Sequence, residues 1–143
     1  MTQEDKKLLL TDLCGRLPYD LVIGISSEPY MPVNIWKIDQ LDCYRNTVSI
    51  TCLPCCEDKI VSIEDVRPYL FPLSSMTEEQ RKEYEDALTY HDYVKGGWTI
   101  AKSFDDEYII PYWFVDFCNK NHFDYRGMIP KGLATDCTNL NIY

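Results

Sequence analysis

Three cysteines lie within five residues, Cys52-Leu53-Pro54-Cys55-Cys56. Two chemistries suit that spacing. The Cys-x-Pro-Cys form fits thiol–disulfide exchange, which wants its first thiolate stabilised at a helix N-terminus. These cysteines instead fall between two strand-like runs, and no helix follows them. A zinc knuckle at a hairpin turn has the right local form, but structural zinc takes four ligands. Cys14 and Cys43 stand alone in the sequence, and His91 and His122 are not spaced as a pair. Cys52, Cys55 and Cys56 are thus metal candidates short of a full ligand set. The plain alternative is a Cys-rich hairpin tip with ordinary thiols.

A second candidate is His122, two residues before Asp124 and four after Cys118. That grouping invites acid–base chemistry. However, Cys118 falls on an apolar helical face, where a small hydrophobe is expected. His122 falls at a helix end, where it would meet the last carbonyls. A third candidate is a set of cations beside glycines: Arg16 after Gly15, Arg126 before Gly127, and Lys131 before Gly132. Glycine admits close backbone approach, and arginine forks suit phosphate. Arg16, His122, Arg126 and Lys131 would therefore line any site for a small anionic ligand. Helix capping and surface ion pairs are the structural alternative. No catalytic set, phosphate loop, dinucleotide fingerprint or other cofactor motif emerges.

These residues need elements to hold them. Thr2 with Asp5 suggests a capped helix along Leu9, Leu10 and Leu13, closed by a left-handed Gly15 and stopped by Pro18. Leu21–Ile25 is a short apolar run, and Pro29, Tyr30 and Pro32 mark a turn. Val33, Ile35 and Trp36 open a second run reaching towards Tyr44. Thr47–Cys52 and Lys59–Ile63 alternate β-branched and polar residues, which predicts a hairpin with its loop at Leu53–Asp58. Val66–Leu73 contains Pro68 and Pro72 and reads as an ordered crossover. Ser75 with Glu78, or Thr77 with Gln80, caps a central helix running to about Tyr90. Trp98–Ala101 reads as a strand. Ile110, Trp113, Phe114, Phe117 and Cys118 form the strongest buried helical face, and Pro111 is tolerable in its first turn. Asp124 would cap a last short helix from Tyr125 to about Leu133, and Ala134–Tyr143 would be polar coil. The expected fold is α+β: a small antiparallel sheet or partly closed barrel of about four to five strands, packed with N-terminal, central and C-terminal helices.

The chain has 143 residues, which suits a single domain, 1–143. It is 45% hydrophobic and contains 11 Tyr, 5 Phe and 3 Trp, which excludes a disordered chain. Acidic residues outnumber basic ones 23 to 14, for a net charge of −9. Residues 1–71 carry 7 basic and 11 acidic side chains, and residues 72–143 carry 7 and 12. With the charge spread so evenly, generic binding to nucleic-acid backbone or anionic membrane is disfavoured, since both need a positive surface. The first residues carry no export signal and no apolar run is long enough to span a bilayer. The seven cysteines are an odd number. A cytoplasmic protein with free thiols is expected. Tyr30, Tyr69, Phe71, Tyr90, Tyr93, Trp98, Tyr108 and Tyr112 serve either as interface anchors or as an aromatic core.

Three segments carry a resemblance: Leu10–Tyr19 (LTDLCGRLPY), Ile63–Gln80 (IEDVRPYLFPLSSMTEEQ) and Asn121–Ala134 (NHFDYRGMIPKGLA). In that order they resemble a family of short uncharacterised proteins of anaerobic gut bacteria and their phages and prophages. Residues 20–60, which include the cysteine cluster, and residues 90–110 share no likeness. The resemblance implies a genomic setting and no mechanism. Two functions follow as expectations. One is a non-enzymatic interaction protein of a phage or mobile element, binding a host or phage protein or self-associating. The alternative is a small-ligand or nucleotide binder that blunts a host signal, or an unrecognised enzyme.

Overall fold

A computed structural model describes residues 1–26, 35–53, 55–95 and 112–143, with side chains of the central helix described as far as residue 86. Helix α1 (Gln3–Arg16) opens on the expected box. The Thr2 hydroxyl accepts from the Asp5 amide at 3.1 Å, and the Asp5 carboxylate accepts from the Thr2 amide at 2.9 Å. Its buried stripe is Leu9, Asp12, Leu13 and Arg16, the i, i+3, i+4, i+7 pattern of a core-facing helix. Gly15 does not end it. Pro18 does, in a 3-10 turn over Leu17–Tyr19, and Asp20 takes the left-handed position at φ 55°.

Strands β1 (Val22–Ile25), β2 (Trp36–Asp42), β3 (Thr47–Cys52), β4 (Glu57–Ser62), β5 (Val66–Leu70) and β6 (Thr135–Asp136) form one open sheet in the order β4-β3-β2-β1-β5-β6. All pairings are antiparallel except β5 with β6. The fold is α+β as expected, with a mostly antiparallel open sheet that has six strands among the described residues. The irregularity between Ile38 and Gln40 in β2 matters, because Ile38 pairs with Ile50 and Leu41 with Val48. One extra residue is needed to keep both on the core face. The β2–β3 turn is fixed by Asp42, whose carboxylate accepts from the Tyr44 and Arg45 amides at 3.0 and 2.9 Å.

The sheet must coil strongly. In a flat sheet, β4 and β5 would lie four strand spacings apart, about 19 Å. The link from Ser62 to Val66 is a 3-10 turn, Ile63–Asp65, and even fully extended it would reach only about 14 Å. Coiling wraps the inner face round Leu9 and Leu13 of α1, with Ile23, Val48, Ile50, Ile63, Val66 and Leu70 all essentially without exposed surface.

Four local expectations are corrected. Val66–Leu70 is a strand, not a crossover; β6 pairs only with Tyr69 and Leu70, so Pro68 sits where β5 has one neighbour, a place that tolerates proline. Helix α2 (Glu78–Lys95) starts on Thr77 and runs past Tyr90. The Thr77 hydroxyl accepts from the Gln80 backbone amide and the Gln80 side-chain Oε1 accepts from the Thr77 amide, so Thr77 rather than Ser75 supplies the cap. The helix over Tyr125–Leu133 is absent; Gly127 and Gly132 adopt φ 66° and 68°, which breaks a right-handed helix. The C-terminal residues are not free coil: β6 joins the sheet, and Leu140 and Ile142 pack beside Val22, Tyr69 and Cys137 on the reverse face of β1 and β5.

Helix α3 (Tyr112–Lys120) buries Phe114, Phe117 and Cys118 as its spacing predicts, against Phe123, Tyr125 and Tyr84 of α2. The expected turn at Pro29–Pro32, the strand at Trp98–Ala101, and Val33, Ile110 and Pro111 lie outside the described residues. Among the described residues, no helix is long and apolar enough to cross a membrane.

Candidate functional site

The cationic candidates do not form a pocket. Arg16 and Asp12 have no exposed surface. One turn apart on α1, they meet as a fork: Arg16 Nε donates to Asp12 Oδ2 at 2.6 Å and Nη2 to Oδ1 at 3.2 Å. The remaining Arg16 donors reach the end of α3. Nη2 donates to the Phe123 carbonyl at 2.7 Å and Nη1 to the Cys118 carbonyl at 3.4 Å. A cation there also suits the helix dipole. Asn119 Nδ2 donates to the Gly15 carbonyl at 3.1 Å, and an added Cβ on Gly15 would crowd that same nitrogen. Gly15 therefore serves close packing of α1 on α3. Arg126 adds a second guanidinium to Asp12, with Nε 3.3 Å from Oδ1. Tyr125 lies within cation–π distance of both arginines, at 5.5 and 4.8 Å. Arg16 and Arg126 thus act as an internal latch.

Lys131 is exposed and close enough to Asp5 to help hold that carboxyl below its ordinary value, behind the larger effect of the Thr2 hydrogen bonds. Asp5 lies at the far end of α1, roughly 16 Å along the axis from Arg16. One ligand cannot use both cations in a small pocket.

His122 and Asp124 are also separated in role. Asp124 accepts from the Met128 and Ile129 amides, both at 2.8 Å, and so pins a turn. His122 closes α3 in a left-handed conformation, φ 56°, with its amide donating to the Asn119 carbonyl at 3.2 Å. Its ring stacks on Tyr143, with centroids 3.9 Å apart and planes 10° apart. The Tyr143 hydroxyl accepts from the Val22 amide at 3.2 Å and donates to the Tyr69 carbonyl at 3.0 Å. Burial, then the charge of Arg16, pushes His122 down to about 4. It is neutral at physiological pH, and its buried Nδ1 has no hydrogen-bond partner. Burial pushes the Cys118 thiol up to about 12, which rules out a thiolate nucleophile.

All seven cysteines are free thiols. Across the hairpin tip, the Cys56 amide donates to the Cys52 carbonyl at 2.8 Å. Cys52 is buried, Cys55 and Cys56 are exposed, and Cys56 is left-handed at φ 53°. Among the described residues no group of three or more His, Cys, Asp or Glu side chains is placed to hold a metal ion. The hairpin tip therefore lacks a metal ligand set within the described structure.

No protein-family model, curated protein or solved structure matches the chain. Internally, the segments Leu10–Tyr19, Ile63–Gln80 and Asn121–Ala134 converge. Arg16 binds the Phe123 carbonyl, the Phe71 amide donates to the His122 carbonyl at 2.9 Å, and the Asp124 amide donates to the Phe71 carbonyl at 2.8 Å. These three segments meet in the interior, not round an open cleft.

The open surface lies elsewhere. Of the expected aromatic anchors, Tyr69 is buried and Phe71 half-buried, while Tyr112 is 76% exposed. Tyr30, Trp98, Tyr108 and the side chains of Tyr90 and Tyr93 lie outside the described residues. The exposed apolar residues that sequence reasoning missed are Tyr44 at 94%, Ile60 at 75% and Leu53 at 51%, all on the β2–β3–β4 hairpins. Strand alternation carries the signal for Ile60, since its neighbours Lys59 and Val61 share the opposite face. Ser49 and Ile60 pair on the outer face, next to the pair Thr51 and Asp58. The Thr51 hydroxyl bridges Asp39 and Asp58, lying 2.7 Å from the latter. Lys59 faces inward, its ammonium 4.6 Å from the centre of the Trp36 ring. On the reverse of β1 and β5, Gly24, Ile25, Ser26, Arg67, Tyr69, Thr135 and Leu140 line a groove of about 280 Å³.

Proposed function

We propose that this chain is a non-enzymatic interaction protein of a phage or mobile element, which binds a host or phage protein through the outer edge of β4. The observation that carries this reading is β4 itself. It ends the sheet among the described residues, and it presents Ile60 outward, 75% exposed, beside the carboxylates of Asp39 and Asp58. An edge strand offers unpaired amides and carbonyls to an added strand, and its side chains select the partner. Apolar Ile60 with acidic neighbours fits an extended segment that alternates basic and apolar residues. Pairing two copies along this edge would bring acidic edges together, so a basic partner fits better than self-association. The internal use of Arg16, Arg126 and Asp124 supports a non-enzymatic role, and the resemblance supports the setting.

Zero-length carbodiimide cross-linking in a gut-bacterial lysate tests this, because it joins primary amines, those of lysines above all, to touching carboxylates. A basic protein should couple to Asp39, Glu57 or Asp58, and Ile60→Lys should abolish the coupling. Coupling elsewhere on the chain, none at all, or coupling unchanged in the variant would overturn the reading.

A small-ligand role has separate support in the groove over Gly24, where Arg67, Tyr69 and Thr135 supply polar groups. Ligand binding should raise the melting temperature by mass action. If nucleotides and small anions at millimolar concentration give no shift, this alternative is lost.

A further inference from the structure

Gly24 of β1 and Arg67 of β5 pair across the sheet. Two residues from Val22 and Tyr69, they share the reverse face with them. Gly24 leaves a hollow there. A Cβ at this position would come within 2.8 Å of the Tyr69 hydroxyl, so only glycine lets Tyr69 lie across β1. Thr135 of β6, paired with Tyr69, and Leu140 complete the lining of the groove of about 280 Å³. Arg16, Arg45 and Arg126 each face a carboxylate of this chain, but Arg67 does not. Its Nη1 donates to the Glu64 and Val66 carbonyls at 2.7 and 2.8 Å, which uses both Nη1 hydrogens and fixes the group. The Nε and Nη2 hydrogens have no partner among the described residues. That edge is the fork that takes a carboxylate side-on. The Thr135 hydroxyl is likewise without a partner there, whereas the Ser26 hydroxyl donates to the Asp65 carbonyl at 3.1 Å.

We infer that the groove binds a small monocarboxylate with an apolar body, of which benzoate is the model. The free edge of Arg67 takes the carboxylate, and Gly24, Ile25 and Leu140 pack against the ring. This rests on the reading of the groove as a ligand site and names its ligand class. Charge, polarity and size choose that class. One guanidinium balances one negative charge, whereas a phosphate monoester would bring about two into a chain of net charge −9. The phosphate oxygens left over would face apolar surface, where they lose their hydrogen bonds to water. A dry cavity of about 150 Å³ holds benzene, so this groove takes a ring with its carboxylate, while a nucleotide needs a larger site.

The test titrates the full isotope-labelled chain with sodium benzoate and follows its amide resonances. The amides of Gly24, Ile25, Ser26, Arg67 and Thr135 should shift together and saturate with a Kd on the order of 1 mM. Benzamide has the same shape without the charge and should bind about tenfold more weakly. Inorganic phosphate at the same concentration should leave these resonances in place. Arg67→Gln should weaken benzoate by about tenfold as well. Arg67 also holds the turn before β5, so the wild-type ratio of benzoate to benzamide decides the matter if that variant does not fold. Benzamide binding as tightly as benzoate, phosphate taking its place, or a folded Arg67→Gln variant that binds benzoate unchanged would each overturn the carboxylate assignment and leave the groove as a ligand site. If none of the three compounds moves these amides, the ligand reading of the groove falls together with the assignment.

Discussion

Asp12 meets two guanidiniums and Asp58 shares the Thr51 hydroxyl with Asp39, yet the regions round them handle charge in opposite ways. At the α1–α3 junction, Asp12 and Arg16 have no exposed surface, and the guanidinium divides its donors between one carboxylate and two backbone carbonyls. On the outer face of β2–β4, Asp39 and Asp58 stand in water, bridged only by the Thr51 hydroxyl, beside the exposed Ile60. A buried charge must be satisfied internally, so its donors are committed and cannot serve a ligand. Charges in water carry no such obligation and can be redirected to a partner. Function is therefore better sought on the hairpin face than among the cations.

The largest effect that could break this contrast is at Arg16. Arg16→Met leaves the Asp12 carboxylate buried, with only Arg126 beside it, and should cost about 3–5 kcal/mol in urea denaturation with an unchanged slope. Asp12→Leu combined with Arg16→Met should recover most of that loss, because apolar pairs of similar volume replace buried ion pairs at little cost. A single-variant loss below about 1 kcal/mol would make the junction equivalent to a surface pair.

A second test uses His122, which seals the same region against Tyr143. Its folded value, about 4, lies below the ordinary 6.5, so the unfolded chain takes up a proton that the folded ring refuses. Stability is then complete above pH 6.5 and falls as pH drops from 6.5 towards 4, by about 1.4 kcal/mol per pH unit and about 3 kcal/mol in all. His122→Asn keeps the left-handed backbone, which asparagine tolerates, and should flatten the profile over this interval. Equal wild-type stability at pH 7.5 and pH 5 would contradict a sealed imidazole.

Part of the junction was legible in the sequence. Leu9 and Leu13 mark the helical stripe, and Asp12 four residues before Arg16 is the spacing of an ion pair that the reading of Arg16 as an anion ligand passed over. What the sequence hid was that this stripe faces the core, because the carbonyls that satisfy Arg16 come from Cys118 and Phe123, more than a hundred residues later. The loop with Asp124 misled for a related reason: an aspartate before apolar residues signals a helix cap, but left-handed Gly127 and Gly132 turn the same carboxylate to a tight turn. Strands β1 to β4 were legible because alternation is local. Strand β5 was missed because prolines mask alternation, and β6 because two residues carry no pattern. The hairpin face depends on strand order and curvature, which no local pattern encodes.

Thr51→Val asks whether the exposed acidic bridge behaves as a network. It removes the hydroxyl between Asp39 and Asp58 and keeps a β-branched side chain. Water can replace the lost hydrogen bonds, so the loss should stay below about 1 kcal/mol. A loss as large as that at Arg16 would mean that this face, too, is committed to the fold.

The smallest expected effect is at Ile60, and it sharpens the contrast most. Its side chain points away from the core on an edge strand, so Ile60→Lys should leave stability within about 0.5 kcal/mol of wild type. A lysine on an edge also discourages strand addition, and its charge changes the outer face beside Asp58. The variant should therefore unfold like the wild type while losing the carbodiimide-coupled partner. A large fall in stability would show that Ile60 is covered by another part of the chain, and the β4 edge would then belong to the fold rather than to a partner.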